Sequence, residues 1–177
     1  AGLVARRPLM ALATIAALTG WVALCLAVGW IGAQVTRPAL VAWYPALAKP
    51  AWTPPAIAFP IVWTALYVLM GVAAWLVWQR IAEAGAAASS KGVALRWLPL
   101  ILFVLQLALN SLWSTLFFGL RSPGLALAEI LLLLVAIVAT MIAFRAVSAL
   151  AAGLLLPYLL WAGYATALNF AIWRMNS

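Results

Sequence analysis

The side chains that could do chemistry are few, and their types favour binding over catalysis. The 177 residues include one Cys, two acidic residues and no His. Nucleophilic catalysis needs a base beside its nucleophile, and a zinc site needs clustered His, Cys or carboxylate ligands. The composition supplies neither. Eleven Trp and a small number of amides remain, and these suit a largely apolar pocket with a few orienting polar groups.

Aromatic and amide residues recur at steps of three or four in three segments, which places each set on one face of a helix. Such stripes are most often packing surfaces. The amides favour a pocket instead, because an amide facing lipid is costly and is expected to turn into a helix bundle. The stripes are Phe59, Trp63, Tyr67 and Met70, then Gln106, Asn110, Trp113 and Phe117, then Tyr158, Trp161, Ala165 and Asn169.

The elements that position these faces are predicted to be membrane-spanning helices. Apolar residues make up 69% of the chain and charged residues 7%, against about 45–50% and about 25% in soluble domains. A helix needs about 20 apolar residues to cross the hydrocarbon. The charged residues are separated by five apolar intervals of this length. Glu129 lies within the fourth, and it is either a functional acid or a residue that makes a polar contact near the end of that span. We predict an all-α membrane protein, a single domain over 1–177 with spans at about 9–33, 56–79, 97–119, 124–144 and 150–173.

The distribution of cations predicts the orientation of the bundle. Five spans place the termini on opposite sides, with six cations on the N-terminal side and four on the other. The positive-inside rule then predicts a cytoplasmic N-terminus. The helical type of the spans predicts a bacterial inner membrane. The net charge of +8 does not indicate nucleic-acid binding, because the cations are scattered one or two to a connection.

The first connection, residues 35–55, is rich in proline and in large apolar side chains. Its five prolines make it stiff, and Trp43, Tyr44, Leu47 and Trp52 would not suit a solvated linker. The segment is therefore predicted to dock. It is either an aromatic belt at the headgroup level or a lid over the mouth of the bundle.

Three ordered blocks of this sequence resemble the tryptophan-rich sensory protein family, or TspO family, which includes the mitochondrial translocator protein (peripheral benzodiazepine receptor). The resemblance covers about residues 30–176. The sequence departs from the family's pattern at Ala51, where a second Trp often precedes Trp52, and at Phe170, where the strict sterol-recognition pattern has Tyr. The blocks are WY…KPAWTPP…FP…WT…Y at 43–67, QL…N…LW…FFG at 106–119 and PY…W…LNF…WR at 157–174.

The resemblance implies a homodimer of five-helix subunits that binds porphyrins and sterol-like or drug-like ligands under a lid formed by the first loop. The lid interpretation is thereby favoured over the aromatic belt. We add Phe117 and Asn169 from the stripes, with Arg37 and Lys49 as partners for a ligand carboxylate. The implied ligand-binding residues are Trp43, Trp52, Trp63, Tyr67, Asn110, Trp113 and Trp161.

The expected function is that of a receptor or sensor for tetrapyrroles such as protoporphyrin IX. Haem iron usually takes an axial His, Cys, Met or Tyr, so a chain without His is expected to hold a ring by its face, with no metal and no obligatory cofactor. Two alternatives stay open, a porphyrin or sterol transporter and an enzyme that degrades porphyrin through pocket Trp residues. Five spans without an evident inverted repeat argue against a stand-alone pump.

Overall fold

The computed structural model describes residues 2–85 and 93–177, and the secondary structure in these ranges is helical. A π-helical turn at Thr115–Gly119 continues the fourth helix. The helices are α1 (Gly2–Val41), α2 (Trp43–Ala46), α3 (Ala58–Gly85), α4 (Val93–Ser114), α5 (Pro123–Val147), α6 (Ala149–Leu154) and α7 (Leu156–Met175).

The prediction of five membrane-spanning helices is confirmed. Five helical segments of 24 to 30 residues are long and apolar enough to cross a bilayer. The third combines α4 with the π-helical turn, and the fifth combines α6 with α7. The segments are Leu12–Val41, Ala58–Ala84, Arg96–Gly119, Pro123–Val147 and Ala149–Met175.

The first connection is shorter than predicted, because α1 continues through Pro38 to Val41. Pro38 lies in the last turn of the helix, where its missing N–H removes a single backbone hydrogen bond. The connection then forms the short helix α2 and an irregular segment up to Ala58. This stretch, residues 42–57, is called the first loop below.

The spans form a closed ring in the order first, second, fifth, fourth and third. The first span packs against α3 and α4, α4 packs against α5, and α5 packs against α6 and α7. The ring closes where α6 packs against α3. Gly71 permits the close approach of α3 to α1, since a Cβ at this position would lie 2.6 Å from the Cα of Val22. The ring order turns the aromatic faces of the second, third and fifth spans towards one another.

Candidate ligand-binding site

A buried chain of hydrogen bonds joins the second, third and fifth spans. The Tyr67 hydroxyl of α3 donates to Oδ1 of Asn110 on α4 at 2.6 Å. The Asn110 Nδ2 in turn donates to the Tyr158 hydroxyl of α7 at 3.2 Å. All three side chains are buried. Because each group has its partner in another span, the chain fixes how these spans are positioned around the interior.

Aromatic rings surround this chain of hydrogen bonds on the side facing the first loop. Trp63 stacks on Tyr67 with the ring centroids 5.6 Å apart and meets Tyr158 edge-on at 6.3 Å. Farther along α7, Trp161 stacks on Tyr164 at 5.6 Å, and Phe59 meets Trp161 edge-on at 6.0 Å. These side chains form the inner part of the candidate site.

Two indole N–H groups of the site differ in their hydrogen bonding. The Trp113 Nε1 donates to Oδ1 of Asn169 at 3.0 Å, and the Asn169 amide donates to the carbonyl of Pro123 at 2.7 Å. The Trp161 Nε1 is buried and has no hydrogen-bond partner among residues 2–85 and 93–177. A buried donor without a partner costs free energy, and an acceptor bound at this site would satisfy the Trp161 N–H. The Nε1 of Trp75, on α3 outside both aromatic clusters, is also buried without a partner among the described residues.

A second aromatic cluster lies beneath the first loop and centres on Phe117 in the π-helical turn. Trp113 stacks on Phe117 at 5.2 Å, and Trp43 of α2 meets Phe117 edge-on at 5.7 Å. Tyr44 packs against Phe118 at 5.7 Å. The prediction that the first loop docks through its large side chains is thus met by direct contacts with the end of the third span.

Two contacts attach the rest of the first loop to α7. The Trp52 ring meets Tyr164 edge-on at 5.6 Å, and the Tyr164 hydroxyl donates to the Trp52 carbonyl at 2.8 Å. Asn176 accepts from the Ala48 N–H at 3.0 Å and donates to the Ala48 carbonyl at 2.9 Å. The fifth span therefore holds the loop at two points.

The two cations predicted to meet a ligand carboxylate are engaged within the protein. The Lys49 ammonium donates to the carbonyls of Tyr44 and Leu47 at 2.8 Å each and of Pro45 at 3.2 Å. It also lies 5.0 Å from the centre of the Tyr44 ring. Burial, and secondarily Tyr164, raises the pKa of the Tyr44 phenol above its ordinary value, so this ring is neutral at physiological pH. Arg37 is exposed and donates to Oε1 of Gln34 at 3.2 Å.

The structure groups most of the predicted site residues into these two neighbouring clusters, with Trp113 packed against both. Arg37 is not among the residues of either cluster. Tyr158, Tyr164 and Asn176 contribute contacts that the sequence analysis did not assign to the site. Tyr158 belonged to a predicted stripe, and its hydroxyl was a signal for a polar partner, whereas nothing in the sequence pointed to Asn176.

Most of the predicted aromatic residues pack against one another in the two clusters. Two surface grooves, of about 340 Å³ and about 560 Å³, have linings that include none of them. Glu129 and Gln106 are buried nearby in the bundle, and their side-chain polar atoms have no hydrogen-bond partner within the described part of the chain.

Residues 21–174 match the sequence model of the TspO/MBR family. The "Tryptophan-rich protein TspO" of Chlorobaculum tepidum is 41% identical over 88% of this chain and 92% of its own length. The human "Translocator protein" is 40% identical over 83% of this chain and 82% of its own. The "Tryptophan-rich sensory protein" of Cereibacter sphaeroides is 40% identical over 82% of this chain and 85% of its own. The range matched by the family model covers both aromatic clusters and the first loop.

Proposed function

This chain belongs to the TspO/MBR family, and on that premise we propose that it is a membrane receptor or sensor for tetrapyrroles. Its ligand is protoporphyrin IX or a similar flat ring, and sterol-like or drug-like molecules compete for the same aromatic surface. Its role is the regulation of porphyrin under stress. The chain is an integral membrane protein with five spanning helices.

The observation that carries the proposal is the unpaired indole N–H of Trp161 within a continuous aromatic surface. Trp161 lies between Phe59 and Tyr164, and its buried Nε1 has no partner among the described residues. A flat aromatic ligand with polar edge atoms would gain both stacking and a hydrogen bond there. Ordinary packing would explain the rings, whereas an acceptor on a ligand would in addition satisfy this buried donor.

Ring stacking supports an affinity in the micromolar range. An aromatic pair contributes about 0.5–1.5 kcal/mol beyond the burial of its area. Contacts with Trp63, Trp113 and Trp161 would then contribute about 2–5 kcal/mol. Apolar burial supplies the rest of the roughly 8 kcal/mol that corresponds to 1 μM.

The first loop acts in this proposal as a lid. It packs over Phe117 through Trp43 and is fastened to α7 through Trp52 and Ala48. Its attachments are a few hydrogen bonds and ring contacts, so it can separate from the bundle without disturbing the spans. The ligand's carboxylates would then meet Arg37, and also Lys49 once its ammonium leaves the backbone carbonyls.

The test is a titration of the purified protein with protoporphyrin IX, in which the quenching of Trp fluorescence measures binding. We expect Trp161→Phe, which removes the N–H and part of the ring, to weaken binding by about tenfold, as expected for a lost buried hydrogen bond. Trp30→Phe is the matched control, because Trp30 is exposed on α1. Unchanged affinity in folded Trp161→Phe would overturn the proposed binding mode.

Transport of porphyrin or sterol is the second candidate, and the name of the human relative favours it. A transporter would carry protoporphyrin into protein-loaded liposomes faster than into empty ones, whereas a receptor would bind it without flux. Illumination of the pure complex, followed by analysis of products, tests the third candidate, porphyrin degradation. Loss of the porphyrin together with new products would favour the enzyme over both others.

The proposed setting is a homodimer in a bacterial inner membrane with the N-terminus in the cytoplasm. Of the five spanning segments, α1 buries the smallest share of its apolar window within the chain. Its outward face is thus the one with most apolar surface left for a second copy or for lipid. Cross-linking of single cysteines placed on this face would test the dimer.

A further inference from the structure

A groove of about 560 Å³ lies at the end of the bundle where α3 and α5 finish and α4 begins. Its walls are mostly apolar, and it opens to the surroundings because several lining side chains are exposed. The volume falls within the range of about 300–1,000 Å³ that is usual for small-molecule sites. The apolar lining includes Ile81, Ala84, Leu98, Ala143, Ala146 and Val147.

Two arginines from different helices line the same groove. Arg80 belongs to the end of α3 and Arg96 to the first turn of α4. Among the side chains that the structure describes, those of residues 12–84 and 96–177, neither guanidinium has a hydrogen-bond or ion-pair partner, and this includes Glu83, one turn from Arg80 on α3. Two like charges held beside one groove repel each other, and an anion between them would relieve this repulsion.

The position of the arginines relative to the membrane indicates which anion fits. The spanning segment Ala58–Ala84 ends one turn after Arg80, and the segment Arg96–Gly119 begins at Arg96. The guanidiniums therefore lie at the headgroup level, where Arg side chains anchor. The apolar walls continue from there towards the hydrocarbon, alongside Leu98 and Ala143. A cationic mouth above an apolar wall is complementary to a molecule with a negative head and a hydrocarbon tail.

We propose that this groove binds an anionic phospholipid. The phosphate lies between Arg80 and Arg96, and one acyl chain runs along the apolar wall. The planar guanidinium matches the geometry of phosphate oxygens and is the preferred group for phosphate recognition. A zwitterionic lipid offers the same phosphate but carries its own cation, which two arginines would repel.

The groove is separate from the aromatic site. The first loop ends where α3 begins at Ala58, and the groove is lined by the later residues of that helix, from Arg80 on. At 1.5 Å per residue, Arg80 lies about 33 Å along the helix from Ala58 and about 20 Å from Tyr67, the last residue of the aromatic site on α3. The lipid site does not depend on tetrapyrrole binding, and its test does not use a porphyrin.

The experiment is native mass spectrometry of the full chain in detergent with dioleoyl phosphatidylglycerol or dioleoyl phosphatidylcholine. We expect the first phosphatidylglycerol to bind at least about tenfold more tightly, since each basic residue near a surface attracts anionic lipid by about a factor of five. The double variant Arg80→Gln, Arg96→Gln should lose this preference. Arg145→Gln is the matched control, because Arg145 is exposed at the same end of α5 but does not line the groove.

Three results would overturn the proposal. They are equal binding of the two lipids by the unaltered protein, a preference that survives in the double variant, and a loss in Arg145→Gln as large as in the double variant. The last would mean that general charge at this end attracts the lipid without the groove.

A second variant keeps the test decisive if the double variant does not fold. Ala146 is exposed on the groove wall, so Ala146→Trp should fill the groove without disturbing the core. It leaves both arginines in place, and we expect about a tenfold loss of phosphatidylglycerol binding. Unchanged binding would overturn the proposal. Glycerol 3-phosphate at millimolar concentration should fail to displace the lipid, and its displacement would show a free phosphate site instead.

Discussion

The side-chain amide of Asn176, at the end of α7, pairs with both backbone groups of Ala48 in the first loop. The two residues are 128 positions apart. The Asn176 amide accepts one hydrogen bond and donates another, as a peptide group of a neighbouring strand would. The irregular part of the loop, which follows α2, thereby gains two backbone hydrogen bonds from the end of the last span. The contact ties the loop that covers the Phe117 cluster to the helix that carries Trp161.

Asn176→Ala should loosen the first loop without unfolding the bundle, because it removes both bonds to Ala48 but no buried side chain. We expect faster hydrogen–deuterium exchange in peptides covering residues 43–55, with unchanged exchange in α4 and α5. Ser177→Ala is the control, since this side chain bonds only within its own helix end. Unaltered exchange in the loop would mean that its ring contacts alone hold it.

Asn110→Ala should lower the free energy of unfolding by about 1–3 kcal/mol, because it leaves the hydroxyls of Tyr67 and Tyr158 buried without a partner. Unfolding of the detergent-solubilised protein by a denaturing detergent measures the change. The same substitution in a background carrying Tyr67→Phe and Tyr158→Phe should cost less, because no hydroxyl is left unsatisfied. Equal costs in both backgrounds would contradict coupling of the three groups.

Gly71→Ala should destabilise the packing of α1 against α3 by about 1–3 kcal/mol, as over-packing in a core does. The added Cβ would meet backbone atoms of Val22 at 2.6 and 2.9 Å, which cannot turn aside as a side chain can. Gly20→Ala is the matched control on α1, with no atom within 4 Å of its Cβ. It should raise stability by about 0.5–1 kcal/mol through helix propensity. Thermal unfolding followed by circular dichroism distinguishes the two, and similar midpoints would contradict the close approach.

Lys49→Met should weaken binding of protoporphyrin IX more than binding of its dimethyl ester, if the ammonium leaves the carbonyls of Tyr44 and Leu47 to meet a carboxylate. A charged hydrogen bond contributes about 1.5–3 kcal/mol, so we expect about a tenfold or larger difference between the two ligands. Lys49→Arg should keep most of the preference for the free acid. Equal weakening for acid and ester would mean that Lys49 acts only by stabilising the loop.

Much of the candidate site was predictable because helical spacing places residues on faces before the fold is known. Trp63 and Tyr67 were predicted on one face of the second span, and they stack. Asn110 and Asn169 were predicted to turn inward, and both are buried with partners in other spans. The spacing did not reveal which amide meets which ring. It also did not reveal that Lys49 would bond to three carbonyls of its own loop.

The sequence by itself determined the number of spans and the inward faces of the helices. Hydropathy and helical periodicity are properties of a single segment, and charged residues mark the ends of each apolar segment. Neither depends on which other helices the segment contacts. Only the tertiary structure decided the ring order of the spans, the separation of the aromatic residues into two clusters, and the attachment of Ala48 to Asn176. These depend on how the ridges and small residues of different helices fit together, as at Gly71 and Val22. The same fit placed Arg80 and Arg96 beside one groove, although they belong to different helices and are not neighbours in the sequence.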